Sequence, residues 1–415
     1  MRNFYVLWLG QTVSLIGSRV TTFALMLWLW DVTNQAAPLA IITFINLIAP
    51  LSASIVAGVI VDRFTRKWLM LCADMIAGLT TLILMWLSVN EQLMIWHVYV
   101  VVSINSFVGY FQSLSFSTSI SLIVPKNRYN RANAMNSYLG YYSASIISPG
   151  IAAVLYTQFG LEAVFLLDML TFLFALVMLL FIHIPQPAST PSSETWRGKI
   201  TFGWRYIRAK PHLWLLLVVV LLIGICSTAA GAIYAPMILA QSDSDTYAFL
   251  QVFVGVGGVF SAALLSLWRG PNNLIKGVFV GYMLMGVFNM GLALGQTLWI
   301  WLPFAVLAGM TGPIPGTYLQ TLWMKHTEPE VQGRVFATNY LFSGTLMGIA
   351  SLGVGFLADY VFIPLMRKDT PLNNVFGKGD GAGLSLLYFM LVFTLLLVAY
   401  VALRLKQFDR LQTVD

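Results

Sequence analysis

The sequence predicts an all-α membrane protein of twelve transmembrane helices in two pseudo-symmetric six-helix halves. Three observations carry that prediction. The first is composition: of 415 residues, 58% are hydrophobic and only 9% charged, where soluble domains carry about a quarter charged residues. The second is that apolar runs long enough to cross a bilayer as helices recur along the whole chain. The third is an internal repeat. RANAMNSYLGYYSASIISPG from Arg131 aligns with RVFATNYLFSGTLMGIASLG from Arg334 at an offset of 203 residues, bringing Arg131/Arg334, Ala134/Ala337, Asn136/Asn339, Ile146/Ile349, Ser148/Ser351 and Gly150/Gly353 into register. A two-fold repeat of six spans, both halves in the same orientation, is a transporter architecture with its substrate site between the halves.

Hydropathy and breakers place the first six spans at Phe4–Trp30, Leu39–Val61, Trp68–Val89, Trp96–Val124, Ala132–Tyr156 and Glu162–Ile182. The second six are Trp214–Leu239, Tyr247–Leu267, Leu274–Leu294, Leu298–Trp323, Val335–Val361 and Gly383–Leu403. The domains are therefore an N-terminal bundle (1–184), a cytoplasmic linker (185–211) and a C-terminal bundle (212–415). Within the linker, ETWRGKITFGWRYIRAKPHLW mixes bases with aromatics at helical spacing, the pattern of an amphipathic helix lying along the membrane surface. The weak alternating pattern of an outer-membrane barrel is absent. The first apolar run is of span length and lacks a small-residue cleavage site, so no cleavable signal peptide is expected. Cys72 and Cys226 both fall inside apolar runs, and no disulfide is expected.

The net charge of +7 does not point to nucleic acid, because the bases sort by loop. With both termini inside, 19 of the 23 lysines and arginines fall on inner loops and tails. Only Arg367, Lys368 and Lys378 face outward, in one loop, and Arg19 lies within a span. The positive-inside rule then sets both termini in the cytoplasm, as expected for a multi-pass protein of a bacterial inner membrane.

One inner loop carries more than charge. GVIVDRFTRKW, between spans two and three, reads Gly58-x-x-x-Asp62-Arg63-x-x-Arg66-Lys67. It resembles the loop signature of the major facilitator superfamily, G-x-x-x-D-R-x-G-R-K, with Thr65 in place of the usual glycine. Twelve spans, the inner position of the loop and the central linker extend the resemblance over nearly the whole chain. FYVLWLGQTVSLIGS, ISPGIAAVLY, VQGRVFATN, GFLADYVF and GKGDGAGLSL are similar to the macrolide-efflux and siderophore-exporter branch. That resemblance implies alternating access and export of an amphipathic small molecule, driven by protons. A siderophore exporter and a lysophospholipid flippase are its alternatives. It also implies a gate: Gly58 allows close helix approach, and the Asp62 carboxylate sits at the cytoplasmic N-terminus of span eleven, near Gly333 and Arg334, against the unpaired N–H groups and positive dipole end. Arg63, Arg66 and Lys67 pair with acids or carbonyls of neighbouring helices. The bland account of the bases is the positive-inside rule alone.

Ionisable groups inside spans are costly and default to functional candidates. Arg19 and Asp168 lie at matching depths, about 22 Å and about 20 Å from the cytoplasmic edge. Either they form a buried ion pair, or Arg19 faces the cavity and attracts an anionic or acceptor-rich substrate. Asp74, about 9 Å deep, pairs with Arg63 or Arg66 as part of the gate or carries a proton. Asp359, at the outer end of span eleven, caps or snorkels. Proton-driven relatives often carry an arginine in span four, where this chain has Asn105, so Arg19 is a candidate for that role. The cavity wall is expected from Asn105, Tyr110, Gln112 and Phe116, from Asn136, Tyr138 and Tyr142, and from Tyr234, Tyr318, Gln320, Asn339 and Phe342. Aromatic and amide groups suit bulky amphipathic ligands, although core packing explains any single aromatic as well.

Catalysis has little support. The four histidines lie scattered near span ends without metal spacing, and neither a nucleophile elbow nor a phosphate loop is present. An intramembrane enzyme and a channel are the rival classes, the latter lacking a filter-like segment. No cofactor or metal is expected; the partners are the substrate, protons and lipid, and the chain is expected to be a monomer.

Overall fold

An apolar chain without strand alternation yields helices alone among the described residues, which in this computed structural model are 2–125, 135, 143–182, 184, 196–267, 273–327, 331–405 and 408. The helices group into two compact units. One comprises Met1–Asn34 with Ile45–Ser192, the other Gln35–Phe44 with Ser193–Asp415.

The first unit contains α1 (Arg2–Thr33), most of α2 (Ala36–Arg63), α3 (Arg66–Val89), α4 (Ile95–Ile123) and α5 (Ser143–Leu180). α1 packs along α5, and α3 packs against both α4 and α5. α5 holds two of the expected spans, divided at Gly160, whose φ of 79° breaks the helix and is readily adopted only without a side chain. Thr65, the departure from the loop signature, has a local role: its hydroxyl caps α3 by accepting from the Trp68 N–H at 3.3 Å. Lys67 reaches across to the opposite kind of helix end. Its ammonium donates to the carbonyls of Leu180 (2.9 Å) and Ile182 (2.7 Å), satisfying acceptors left open at the C-terminus of α5.

The second unit follows with α6 (Trp196–Ala209), α7 (Pro211–Leu239), α8 (Ser244–Leu267), α9 (Leu274–Leu294), α10 (Leu298–Thr311), α11 (Pro313–Lys325) and α12 (Gln332–Leu357). A π-turn (Ala358–Phe362) leads into the short α13 (Ile363–Arg367) and α14 (Asn373–Phe376), and α15 (Asp380–Arg404) closes the order. The linker segment is helical, and Trp204 on α6 stacks on Phe342 of α12 at 4.3 Å and meets Trp214 edge-on. The core joins Leu213, Leu216 and Ile223 of α7 to Phe279 of α9, Tyr318 and Leu322 of α11, and Leu395 and Ala399 of α15.

Among the described residues, ten helical stretches are long and apolar enough to span a bilayer, the one at Ile146–Leu180 covering both limbs of α5. α8, at 24 residues, supplies a helix for the eighth expected span without being one of the ten. These helices are consistent with twelve spans. Tryptophans at helix ends, such as Trp86, Trp96 and Trp299, project outward, Trp299 82% exposed, as interfacial anchors do. Two of the three bases expected to face outward are held by acids. Arg367 forms a two-pronged pair with Asp380 (2.7 and 2.9 Å), and Lys378 meets Asp369 at 2.6 Å; the Lys378 hydrogen bond holds the Asp369 carboxyl below its ordinary range.

α8 and α10 meet backbone to backbone. A Cβ on Gly257 would lie 2.2 Å from the Val306 carbonyl oxygen, and one on Gly309 would lie 2.0 Å from that of Val254. Small residues allow this approach. Gly309→Ala is therefore expected to destabilise the protein by about 1–3 kcal/mol, read as a lower thermal midpoint in detergent. Gly353→Ala, where nothing lies within 4 Å, should leave the midpoint unchanged or raised; equal shifts for the two would contradict the packing.

Candidate functional site

A cavity of about 900 Å³ opens within the first unit. α1 contributes Gln11, Ser14, Ser18, Arg19 and Thr22, α2 Asn46, α3 Thr81, α4 Asn105, Ser106, Gln112 and Phe116, and α5 Asp168. The spacing on α1 and α4 is that of one helix face, so a polar stripe runs down two otherwise apolar helices.

Asp168 is buried, 7% exposed. Its carboxylate accepts from the Ser18 hydroxyl (3.3 Å) and the Thr81 hydroxyl (2.9 Å), while the Thr171 hydroxyl takes the Asp168 main-chain carbonyl. Gly17 makes the geometry possible. A Cβ there would lie 2.0 Å from Thr171 Oγ1 and 3.0 Å from Asp168 Oδ1, so α1 lies tight against α5 where the acid sits. Arg19 lines the same cavity, one residue along from Ser18.

Asp74 is the second buried carboxylate, 2% exposed. Gln112 Nε2 donates to its Oδ1 and Gln11 Nε2 to its Oδ2 at 3.3 Å, and the two amides are themselves joined at 2.9 Å. The sequence offered Arg63, Arg66 or a proton as partners of Asp74; the structure adds two glutamines. Arg66 lies eight residues away on the same helix, about 12 Å along its axis, and the two glutamines reach the carboxylate from α1 and α4. The remaining amides also find local partners: Thr80 donates to Asn105 Oδ1 (2.9 Å), and Ser106 to Asn46 Oδ1 (2.7 Å).

The donors at the two acids differ in kind. A hydroxyl can donate to a carboxylate and accept from a carboxylic acid, so the Ser18 and Thr81 contacts persist when Asp168 gains a proton. An amide nitrogen only donates, so the contacts at Asp74, as they stand, serve its carboxylate form.

Of the other expected residues, Arg19, Asn105, Gln112 and Phe116 line this cavity. Tyr110 packs beside Phe111, their ring centroids 6.3 Å apart, next to Ala53. Asn339 accepts from Ser343 along α12, Tyr318 is buried in the second unit's core, and Gln320 is exposed on α11. Gly58, Asp62 and Arg63 fall on α2 and Gly333 and Arg334 on α12, with their side chains outside what the structure describes, and Asn136, Tyr138 and Tyr142 lie outside the described residues. Tyr234 lines a second cavity, about 320 Å³, within the second unit, together with Gln251, Asn289 and Tyr388. There the Tyr388 hydroxyl donates to Asn289 Oδ1 (2.5 Å), Gln251 donates to the Tyr247 hydroxyl (3.0 Å), and the Tyr234 ring lies 6.0 and 6.2 Å from those of Tyr247 and Tyr388. Gln11, Ser18 and Thr81 were not anticipated, nor were Gln251, Asn289 and Tyr388. A polar stripe at helical spacing on α1 is the signal that points to the first two. Among the described residues, no cluster of histidines, cysteines or acids could hold a metal ion.

The sequence model of the family described as "Major Facilitator Superfamily" matches residues 7–352. The chain is 24% identical to "Macrolide efflux protein A" of Streptococcus pyogenes over 87% of its own length and 89% of the relative's. It is 26% identical to "Multidrug resistance protein MdtG" of Dickeya zeae (strain Ech586) over 87% and 90%. Among solved structures, a POT family transporter in complex with 5-aminolevulinic acid superposes with a TM-score of 0.75 at 12% identity, covering 99% of this chain and 97% of that one. A bacterial homologue of the human lysosomal transporter Spinster, inward-facing and unoccupied, gives 0.73 at 14% identity, covering 99% and 98%. These structural likenesses speak for the fold.

If the Thr81 hydroxyl supports the buried acid, Thr81→Val, which keeps the shape and removes one of two donors, costs about 1–3 kcal/mol. Thr345→Val, at an exposed hydroxyl bonded within its own helix, is the comparison. Equal thermal midpoints for the two variants would show that Thr81 does not hold Asp168.

Proposed function

The chain belongs to the major facilitator superfamily, and from that premise we propose that it is a proton-coupled exporter of bulky amphipathic molecules, macrolide-like compounds among them. As a member of that family it is a multi-pass membrane transporter and not an enzyme. The loop distribution of its bases supports a bacterial inner membrane with both termini in the cytoplasm.

The observation that carries the coupling is the environment of Asp168. An acid buried beside a cavity, held by donors that tolerate either protonation state, is suited to exchange a proton repeatedly. Substrate and proton exclude one another at this site: the proton neutralises Asp168 when the cavity is empty and leaves when substrate contacts replace it. Asp74, held by two amides, keeps Gln11 and Gln112 in place on the cavity wall. Arg19 attracts the acceptor groups of the substrate, and Asn105, Gln112 and Phe116 give broad contact with few fixed hydrogen bonds. Macrolide and multidrug relatives favour a substrate of this kind. The inner gate at Asp62, drawn from the family resemblance, closes the cytoplasmic side by capping α12, and export follows from rocking of the two six-helix bundles.

The test is flux in proteoliposomes. A radiolabelled macrolide is expected to be driven by an imposed pH gradient in the unaltered protein. Asp168→Asn should lose gradient-driven flux and retain exchange of labelled for unlabelled substrate. Flux that ignores the gradient, or survives unchanged in Asp168→Asn, would contradict proton coupling at this residue.

A further inference from the structure

The N-terminus of α2 is capped from far along the chain. Chain order puts Gln35 at the capping position, where serine, threonine, aspartate or asparagine is preferred, and Pro38 in the first turn has no N–H to offer. The N–H groups of Ala36 and Ala37, in the first turn, are both taken by one residue far along the chain. Asp359 Oδ1 accepts from the Ala36 N–H at 3.0 Å, and its Oδ2 from the Ala37 N–H at 2.8 Å. A carboxylate over a helix N-terminus also meets the positive end of the dipole.

Three features mark this as more than a cap. Asp359 sits in the π-turn Ala358–Phe362, a local insertion that re-aims side chains and recurs at functional positions. One turn earlier, Gly355 lets the helices touch: a Cβ there would lie 2.5 Å from Ala40 Cβ and 2.8 Å from Ala37 Cα. Finally, α2 is divided in its allegiance. Its first turns, within Gln35–Phe44, belong to the second unit, while the helix from Ile45 onward belongs to the first. Shortly after that change comes Pro50 inside the helix, which cannot donate to the carbonyl of Asn46 and weakens the helix there.

We propose that Asp359 is a latch that fastens the starting end of α2 to α12, and that its release is a step of the transport cycle, with the stretch around Asn46–Pro50 as the joint about which α2 bends. Because α2 is one continuous helix with its ends in different units, movement of the first unit either bends α2 at that joint or pulls Ala36 and Ala37 from the carboxylate. The latch mirrors the arrangement expected of Asp62. In both, an acid near the end of one of these two helices caps the start of the other, so one closes as the other opens. This rests on the transporter reading, but on neither its substrate nor its coupling ion.

The test needs neither as well. Ala37, 8% exposed and packed under Gly355, is replaced by cysteine in a full-length background carrying Cys72→Ser and Cys226→Ser. The purified protein is placed in nanodiscs, where both faces are accessible, and its rate of modification by a soluble maleimide is measured. Asp359→Ala is expected to raise that rate about five- to tenfold, as loss of a helix cap implies. Asp359→Asn, which keeps an acceptor and serves if the alanine variant fails to fold, is expected to raise it about two- to threefold. Asp359→Glu should restore a rate close to that of the unaltered residue, which a merely space-filling role would not require. Rates that are the same for aspartate, asparagine and alanine would overturn the latch. If labelling responds as expected while gradient-driven flux fails, the latch stands and the coupling is refuted.

Discussion

A carboxylate surrounded by apolar helices has few options. Without partners its charge is too costly to bury, so it must be hydrogen-bonded, paired or neutralised. Asp74 and Asp168 both meet this constraint through neutral donors, amides at the first and hydroxyls at the second. Those donors come from α1, α3 and α4, so the acids dictate how four helices of the first unit are set against one another. The cavity exists where these groups converge.

Close helix approach makes such short side chains sufficient. Ser18 reaches Asp168 because Gly17 brings α1 against α5, and the Ser148 hydroxyl ties the Ile16 carbonyl on the same face at 3.2 Å. Lys67 then anchors the start of α3 to the end of α5. The same economy of small residues recurs at Gly257 and Gly309 in the second unit and at Gly355 on α12. In a membrane, where burial of apolar surface between helices gains little, packing and hydrogen bonds of this kind carry the association. The second unit has no buried acid among its described residues; its cavity is built from tyrosines and amides. The two units are thus alike in being helical and unlike in the chemistry of their cavities.

Much of the fold was legible in the sequence because bilayer length and breaker residues are one-dimensional signals. Gly160 and Pro211 mark boundaries that hydropathy alone finds within a few residues, and the aromatic spacing in the linker foretold α6. The acids Asp168 and Asp74 were legible for the same reason, since charge inside a span is rare. Their partners were not. Depth along a helix can be counted, but rotation about its axis cannot, so depth left Arg19 either paired with Asp168 or facing the cavity and gave no sign that Ser18, the neighbouring residue, donates to Asp168. For Asp74 the sequence offered the loop bases or a proton, and the glutamines that donate to it lie far away in sequence. Asp359 was read as capping or snorkelling, without the helix it caps, because Ala36 and Ala37 carry no side-chain signal at all.

The central claim is that substrate and proton compete at Asp168. It can be read without any gradient, by adding a macrolide to the purified protein in weakly buffered nanodiscs with a pH-indicating dye. Reciprocal linkage predicts release of about one proton per bound substrate from the unaltered protein, and binding without release from Asp168→Asn. Binding without proton release from the unaltered protein, or the same release from both, would contradict the account.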